Sequence, residues 1–419
     1  MKNFAYFTLL GMAIAVAGCQ SQGNEATDPQ PDTTAMDHTA QAEALAHKFI
    51  IADTHIDVPY RLREEWEDIS KRTEKGDFDY ERCVTGGLDV PFMSIYIPAE
   101  LQETGGAKAL ADSLIDMVEG FQKDHPDKFK VVQSVSEVTE NAGQGKVLLA
   151  MGMENGAGIE DKIENLTHFY QRGIRYITLT HSKSNLICDS SYDTIHQYSG
   201  LSPFGEKVVA EMNRLGIMVD ISHVDDSTFW DVIHIAKAPP IASHSSCRSL
   251  VPGFERNMSD EMIAALAKAG GVVQINFGSS FITSDFNEAG KRVKEKVKAW
   301  AIANNKPEHC KETDELRKQF MEEEHVPLAT LQQVVDHIDH VVKVAGIDHV
   351  GIGSDYDGVG PTLPTGLEDV SKYPNLIKEL LDRGYSEDDI QKICSGNILR
   401  VWKAVEDYAA STAATAQNR

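Results

Sequence analysis

The sequence predicts an α/β fold, a closed (β/α)8 TIM-type barrel with a helical excursion after the seventh strand and closing helices at the C-terminus. From residue 48 onward, eight short runs rich in branched apolar residues alternate with longer segments of helical character. This alternation is typical of repeated strand–helix units around a parallel sheet. Metal-ligating or acid–base side chains follow six of the eight runs, and active sites of such barrels are assembled at the carboxyl ends of the strands.

The composition is that of a globular protein with a large core. The chain has 419 residues, 42% of them hydrophobic, and its 64 acidic and 40 basic residues give a formal net charge of -24. Such a charge repels phosphate backbones, so nucleic-acid binding is not expected.

The first 18 residues predict a lipoprotein signal peptide. Lys2 supplies a positive start, and the apolar run over residues 7–16 is too short to be a permanent membrane span. Residues 16–19, Val-Ala-Gly-Cys, resemble the lipobox of bacterial lipoproteins. That resemblance implies cleavage before Cys19 and a lipid anchor on its sulfur, while the alternative is an ordinary signal peptide that ends in cysteine.

Residues 19–40 are polar and predict a flexible tether between the anchor and the folded domain. The expected location is the bacterial cell envelope, with the protein anchored to a membrane by lipid. Gln20 after the lipidated cysteine favours the outer membrane, on its periplasmic or surface side.

Each barrel unit can be read from its strand and its helix. The predicted strands lie in residues 49–54, 92–97, 147–153, 174–180, 217–222, 240–243, 272–277 and 350–354. The predicted helices lie in residues 107–123, 159–172, 203–215, 226–236, 259–269 and 328–345. Ser202 and Ser259 suit helix starts, and Gly216 and Gly346 suit helix ends.

A single barrel domain is predicted over residues 41–408, with one irregular feature. Residues 284–325 are dense in charge but keep apolar positions at helical spacing, which predicts a helical insertion. Its charges most simply form a solvated face, and partner binding is the alternative. Residues 386–408 predict two closing helices, and residues 409–419 predict a frayed tail.

The cysteines do not predict a disulfide framework. Beyond Cys19 there are five, at positions 83, 188, 247, 310 and 394, without any Cys-x-x-Cys pair. An odd number cannot pair fully within one chain, although a single bridge stays open. Cys247 follows His244 by three residues, so it is either close to the site or a small buried thiol.

Candidate site residues follow the predicted strands at their carboxyl ends. The set consists of His55, Asp57, Glu154, His181, His223, His244 and Asp355. Each alone has a plainer interpretation: a carboxylate can cap a helix or form a turn, and a histidine can be a hydrogen-bonded core residue. Their shared position at one rim of the barrel favours a common site.

Three carboxylates and four imidazoles, with no cysteine required, suit zinc or a similar divalent ion. Three carboxylates are too many for a closed structural zinc site. A two-metal centre with a bridging carboxylate accounts for them better.

Seven motifs in order resemble the membrane (renal-type) dipeptidase family of zinc peptidases, over roughly residues 48–405. They are DTHID at 53–57, GMENG at 152–156, RYITLTHS at 175–182, DISH at 220–223, SHSS at 243–246, RN at 256–257 and VGIGSDYDG at 350–358. The resemblance implies an amidohydrolase-like barrel with two zinc ions per chain. It also implies a homodimer, because relatives are commonly dimers.

The resemblance assigns a role to each matching residue. His55 and Asp57 would bind one zinc, His223 and His244 the other, and Glu154 would bridge them. His181 would contact the substrate carbonyl or the tetrahedral intermediate, and Asp355 would move the proton. The substrate carboxylate would meet Arg256, and Asn257 beside it is a weaker candidate for substrate binding.

The expected function is therefore hydrolysis of the amide bond of dipeptides by a metal-bridging hydroxide. A related amidohydrolase that acts on a β-lactam or on an L,D-dipeptide from cell-wall turnover is the alternative. A non-catalytic solute-binding lipoprotein is a remote alternative, which leaves the ordered ligands unexplained.

Overall fold

The computed structural model describes residues 37–306 and 311–417. The predicted signal peptide, Cys19, nearly all of the predicted tether and Cys310 lie outside these residues. No helix among the described residues is both long enough and apolar enough to cross a membrane.

Within these described residues, nine parallel strands form the sheet, and eight of them form the barrel. They are β1 (Ile51–Ile56), β2 (Leu88–Tyr96), β3 (Phe129–Val131), β4 (Val147–Glu154), β5 (Ile174–Thr178), β6 (Met218–Asp220), β7 (Ile241–Ala242), β8 (Val272–Ile275) and β9 (Val350–Ile352). The barrel order is β1-β2-β4-β5-β6-β7-β8-β9, and β3 pairs with β4 outside it. The (β/α)8 fold class is therefore confirmed.

The barrel closes between its first and last strands. The Asp355 amide donates to the His55 carbonyl at 3.0 Å, and the Asp57 amide donates to the Tyr356 carbonyl at 2.9 Å. These bonds bring the polar end of β1 beside the polar segment that follows β9. The same contacts that close the barrel thus join two parts of the candidate site.

Seventeen α-helices lie in the described residues. They are α1 (Thr39–Ala46), α2 (Val58–Glu64), α3 (Tyr80–Gly86), α4 (Leu101–Thr104), α5 (Ala107–Asp124), α6 (Val135–Asn141), α7 (Glu164–Gln171), α8 (Pro203–Leu215), α9 (Asp226–Ile235), α10 (Asp260–Lys268), α11 (Ser279–Ile282), α12 (Ser284–Asn304), α13 (Lys311–Glu323), α14 (Leu331–Ala345), α15 (Tyr373–Asp382), α16 (Glu387–Gln391) and α17 (Asn397–Gln417).

Most predicted elements coincide with observed ones, and the differences have local causes. Ser202 and Ser259 cap α8 and α10 through their hydroxyls. The predicted helix over residues 159–172 begins only at Glu164, because a short 3-10 turn occupies Gly156–Ile159. The unpredicted strand β3 has three residues, too few for an alternating pattern to show.

Both ends of the described chain are more helical than the sequence predicted. Helix α1 begins at Thr39, inside the predicted tether. Helix α17 continues to Gln417, through most of the segment predicted to fray from residue 409. Four alanines in residues 409–414 explain this extension, because alanine has the highest helix propensity.

The predicted insertion is helical and consists mainly of α12 and α13. The apolar stripe of α12 is buried at Ala289, Val293, Val297 and Ala301. Elsewhere, the four described cysteines beyond the anchor position, Cys83, Cys188, Cys247 and Cys394, are free and buried, so no disulfide joins them.

A separate apolar cluster fills the amino end of the barrel. Trp402 of α17 is fully buried there and meets Phe92 of β2 edge-on at 5.3 Å between ring centroids. Tyr176, Met218 and Val272 belong to the same cluster. The closing helix therefore seals the end of the barrel opposite the candidate site.

Replacing this buried indole should destabilise the whole fold. We expect Trp402→Ala to lower the free energy of unfolding by about 3–5 kcal/mol, because it removes contacts and leaves a cavity. Urea or thermal denaturation would measure the loss. Trp66→Ala is the matched control, since Trp66 is 64% exposed, and an equal loss in both variants would contradict the sealing role of Trp402.

Candidate metal centre

The predicted residues at the carboxyl ends of the strands meet around one carboxylate. Glu154 ends β4 and is buried. Its Oε1 lies 3.0 Å from His223 Nε2, 3.5 Å from His244 Nε2 and 3.6 Å from His181 Nε2. Its Oε2 lies 3.4 Å from His55 Nε2. Both oxygens of one carboxylate are thus shared among four imidazoles from four separate strand ends.

Asp57 and Asp355 complete the cluster on the His55 side. Asp57 Oδ2 lies 3.4 Å from His55 Nε2. Three overlapping sets bring ligand atoms within 4.8 Å of one another: His55, Glu154 and His244; Glu154, His181 and His223; and His55, Asp57 and Asp355. Glu154 belongs to two of these sets, as a bridging carboxylate would. His244 shares its set with His55 and not with the predicted partner His223, although the Nε2 atoms of His223 and His244 lie 2.9 Å apart.

The donor chemistry fits divalent ions of the zinc type. Imidazole nitrogens and carboxylate oxygens provide all the candidate ligand atoms, as zinc sites without cysteine require. His55 Nε2 is buried and has no hydrogen-bond partner, although it faces the carboxylates of Asp57 and Glu154. A buried nitrogen aimed at carboxylates without a bond to either is consistent with a metal ligand.

The orientation of the His55 ring is set by Tyr176, which was not among the candidate residues from the sequence. Its Nδ1 lies 2.8 Å from the Tyr176 hydroxyl, so Nε2 is the nitrogen that faces the cluster. The Tyr176 ring crosses the barrel directly over Gly152, where a Cβ would lie only 2.0 Å from a ring carbon. A glycine inside strand β4 was the available signal, because such a glycine often marks close packing.

His244 is oriented by a second buried chain of hydrogen bonds. Its Nδ1 lies 2.7 Å from Ser243 Oγ, and that hydroxyl donates to Asp220 Oδ2 at 2.5 Å. The hydroxyl has one proton, so it accepts from His244 Nδ1–H and leaves Nε2 free to bind a metal. Asp220 also accepts from the amides of Ser222 and Ser243 and from the Thr178 hydroxyl.

Two candidate residues occupy left-handed backbone conformations. The φ angles of His223 and Asp355 are 69° and 65°. Such angles cost on the order of 1–3 kcal/mol in residues other than glycine and cluster at functional sites. At Gly358, a Cβ would lie 2.2 Å from Asp57 Oδ2 and 2.3 Å from Asp355 Oδ1, so the turn needs glycine to bring both carboxylates together.

The buried charges shift one another's pKa values. Burial would raise the pKa of Glu154, but the charges of His55 and His181 and the nearby rings of His223 and His244 hold it well below its usual range. Burial lowers the pKa of both His223 and His244, so these two rings are neutral and able to act as ligands.

Burial is also the main reason why the pKa of Asp355 rises to about 7. The carboxylates of Asp57 and Glu154 raise it further, while His55 opposes them. Asp355 Oδ2 accepts a hydrogen bond from Asn276 Nδ2 at 2.7 Å. One oxygen of Asp355 is thus anchored on the neighbouring strand end, and the other remains on the side of Asp57.

A cavity of about 580 Å³ opens onto this cluster. Asp57, Glu154, His181, His223 and Asp355 line its floor. Its walls and rim carry other side chains that the sequence did not single out, notably Tyr60, Arg61, Glu64, Tyr96, Tyr192 and Phe281. Its size suits a ligand of a few hundred daltons.

Arg256 is buried beside the cavity and is held by the loop after β7. Nη1 donates to Ser245 Oγ at 2.6 Å, and Nη2 donates to the His244 carbonyl at 2.9 Å. Its Nε is buried without a partner. The guanidinium carbon lies 5.1 Å from the centre of the Phe281 ring, which lines the cavity.

The structure places the Asn257 side chain inside the loop that carries Arg256. Its amide nitrogen donates to the Phe281 and Cys247 carbonyls, and its oxygen accepts from the Ser246 amide. The side chain is fully buried, and it does not line the cavity. Asn257 stabilises the loop that carries Arg256, because both polar atoms of its side chain are hydrogen-bonded to backbone groups.

Cys247 is buried and contacts His337. Its amide donates to His337 Nδ1 at 3.0 Å, and its thiol lies 3.5 Å from the His337 carbonyl. The thiol is buried and burial raises its pKa. Of the two alternatives for this cysteine, the small buried thiol agrees with these contacts.

Comparison with known proteins finds dipeptidases among the relatives of this chain. Dipeptidase 3 of Mus musculus is 32% identical over 375 residues, which cover 87% of this chain and 66% of the mouse protein, slightly under two thirds. The crystal structure of the probable dipeptidase PvdM from Pseudomonas aeruginosa is 26% identical with a TM-score of 0.76, covering 88% of this chain and 99% of that one.

A second solved structure carries a ligand. The metallo peptidase from Rhodobacter sphaeroides, liganded with a phosphinate mimic of the dipeptide L-Ala-D-Ala, is 25% identical with a TM-score of 0.70. The match covers 85% of this chain and 99% of that chain. The family described as membrane dipeptidase (peptidase family M19) matches residues 39–416. The chain therefore belongs to the membrane dipeptidase family of metallopeptidases, peptidase family M19.

Proposed function

We propose that this protein is a dizinc metallopeptidase that hydrolyses the amide bond of dipeptides. The position of Glu154 carries the proposal, because its two oxygens lie between His55 on one side and His223 and His244 on the other. His55 and Asp57 would hold one zinc ion, and His223 and His244 the second. When bound, two such ions supply Lewis acidity and a nucleophilic hydroxide at neutral pH.

Asp355 is the residue that would move the proton. Its Oδ2 is held by Asn276, and its other oxygen lies on the side of Asp57, at the floor of the cavity. From there it would accept the proton of the attacking water and deliver it to the departing amine. The raised pKa of Asp355 makes both proton acceptance and donation accessible near neutral pH.

His181 and Arg256 would orient the substrate. His181 lines the cavity, and its ring stands edge-on to Tyr96 at 4.9 Å between centroids. It would donate to the substrate carbonyl oxygen as negative charge develops there. Arg256 would attract the terminal carboxylate, and its fixed Nη contacts to Ser245 and His244 leave Nε as the unsatisfied donor.

Dipeptides with a D-residue at the second position are a specific candidate substrate. The Rhodobacter sphaeroides relative is liganded with a mimic of L-Ala-D-Ala, and its likeness extends over 85% of this chain. We also propose that the protein is anchored in the cell envelope by lipid at Cys19 and, as the family resemblance implies, forms a homodimer.

Metal content and a substrate panel test this function directly. We expect about two divalent ions per purified chain, measured by elemental analysis, and loss of all peptidase activity on removal by a chelator. A panel of L,L- and L,D-dipeptides should be hydrolysed, whereas tripeptides should not. A chain that contains no metal, or that cleaves another amide but no dipeptide, would contradict the proposal.

Asp355→Asn should separate metal binding from turnover. The amide cannot carry the proton, so we expect kcat to fall by about 10²–10⁴-fold while the metal content stays at two ions. Asp407→Asn is the control, because the Asp407 side chain is 64% exposed and lies on α17. Normal turnover in Asp355→Asn would rule out the proton-transfer role.

Tyr176→Phe should weaken metal binding although it replaces none of the candidate metal ligands. Loss of the hydroxyl removes the partner of His55 Nδ1, and changes of this kind typically reduce metal affinity by about 10–100-fold. Competition with a chromophoric chelator would measure the dissociation constant. Tyr385→Phe, which loses a bond to Asp339 remote from the site, should bind metal normally, and equal affinities in both variants would refute the orienting role.

A further inference from the structure

A second cavity lies between the helical insertion and the loop that precedes Arg256. We call it the insertion cavity. Its volume is about 510 Å³, and residues of α12, α13 and the segment 251–254 line it. Much of its surface is apolar, from Phe254, Phe286, Met321 and Val326.

Three cations stand around this apolar surface. Lys291 and Lys294 of α12 and Arg317 of α13 line the cavity, against one carboxylate, Glu288. No ion pair of any of the three is found among the described residues, although nearby Arg292 pairs with Glu324 at 2.9 Å. In a chain of net charge -24, this is a local excess of positive charge without an internal partner.

The insertion cavity shares a wall with the catalytic cavity. Phe254 lines the former and Phe281 the latter, and their rings meet edge-on at 5.4 Å between centroids. Thr362 likewise lines the insertion cavity, and Val359 lines the catalytic cavity. The Thr362 hydroxyl donates to the Val359 carbonyl at 2.9 Å. The two cavities are therefore neighbours with separate linings, and no metal-ligand candidate belongs to the second.

We propose that the insertion cavity is a binding site for a small organic anion with an apolar body. The aromatic and aliphatic lining would bury the apolar part, because transfer of such surface from water is favourable. Lys291, Lys294 and Arg317 would supply charge-assisted hydrogen bonds to the anionic end. This gives the insertion a role distinct from the hydrolytic site and independent of the proposed function.

Titration with 1-octanesulfonate tests the proposal, with 1-octanol as the neutral ligand of matched chain. We expect calorimetry on the metal-loaded protein to show one saturable site for the sulfonate. The affinity for octanol should be at least about tenfold lower, since octanol lacks the charge. Added salt should weaken the binding of the sulfonate but not that of octanol. A sulfonate is chosen because carboxylates are themselves zinc ligands.

Charge reversal locates the site. Lys291→Glu with Lys294→Glu should weaken sulfonate binding by about tenfold or more. The control pair is Lys207→Glu with Lys237→Glu, which changes net charge equally at two exposed lysines outside the cavity. Absence of saturable binding below about 10 mM, equal affinity for octanol, or equal loss in both double variants would overturn the proposal.

Discussion

The central constraint on this structure is the burial of the Glu154 carboxylate at the end of a barrel strand. A charged carboxylate removed from water is tolerated only where other groups compensate for its lost hydration. Here the compensation comes from imidazoles carried by β1 and by the segments after β5, β6 and β7. Because these side chains come from separate strand–helix units, the site exists only when the barrel is closed.

The contacts that close the barrel therefore also determine the geometry of the site. The bonds between the backbones of His55 and Asp355 and of Asp57 and Tyr356 close the sheet and set the distance between two site carboxylates. The left-handed φ of Asp355 and the missing Cβ at Gly358 let the chain turn sharply at that junction. Trp402 and the apolar cluster around it fill the opposite end of the barrel, where none of the candidate site residues lies.

Much of the fold and of the metal cluster could be predicted from the sequence, because both depend on local order along the chain. Alternation of apolar runs and helices indicates the barrel, and a polar residue after a strand indicates the rim. What orients the ligands could not be predicted, since Tyr176 reaches His55 from across the barrel and Asp220 reaches His244 through Ser243. Asn257 stands next to Arg256 in sequence, yet the backbone already occupies its side chain.

The charge balance of the cluster also favours bound metal ions. Asp57, Glu154 and Asp355 place three carboxylates in one buried group, and mutual repulsion contributes to the rise in the pKa of Asp355. Buried carboxylates this close cannot all be ionised unless positive charge lies among them. The neutral rings of His223 and His244 do not supply that charge. Burial would lower the pKa of His55, but Tyr176, Asp57 and Glu154 raise it well above its usual range, so this ring supplies one positive charge. One imidazolium cannot balance three carboxylates, whereas two divalent ions would, and His55 Nε2, which has no hydrogen-bond partner among the described residues, would then bind a metal in place of its proton.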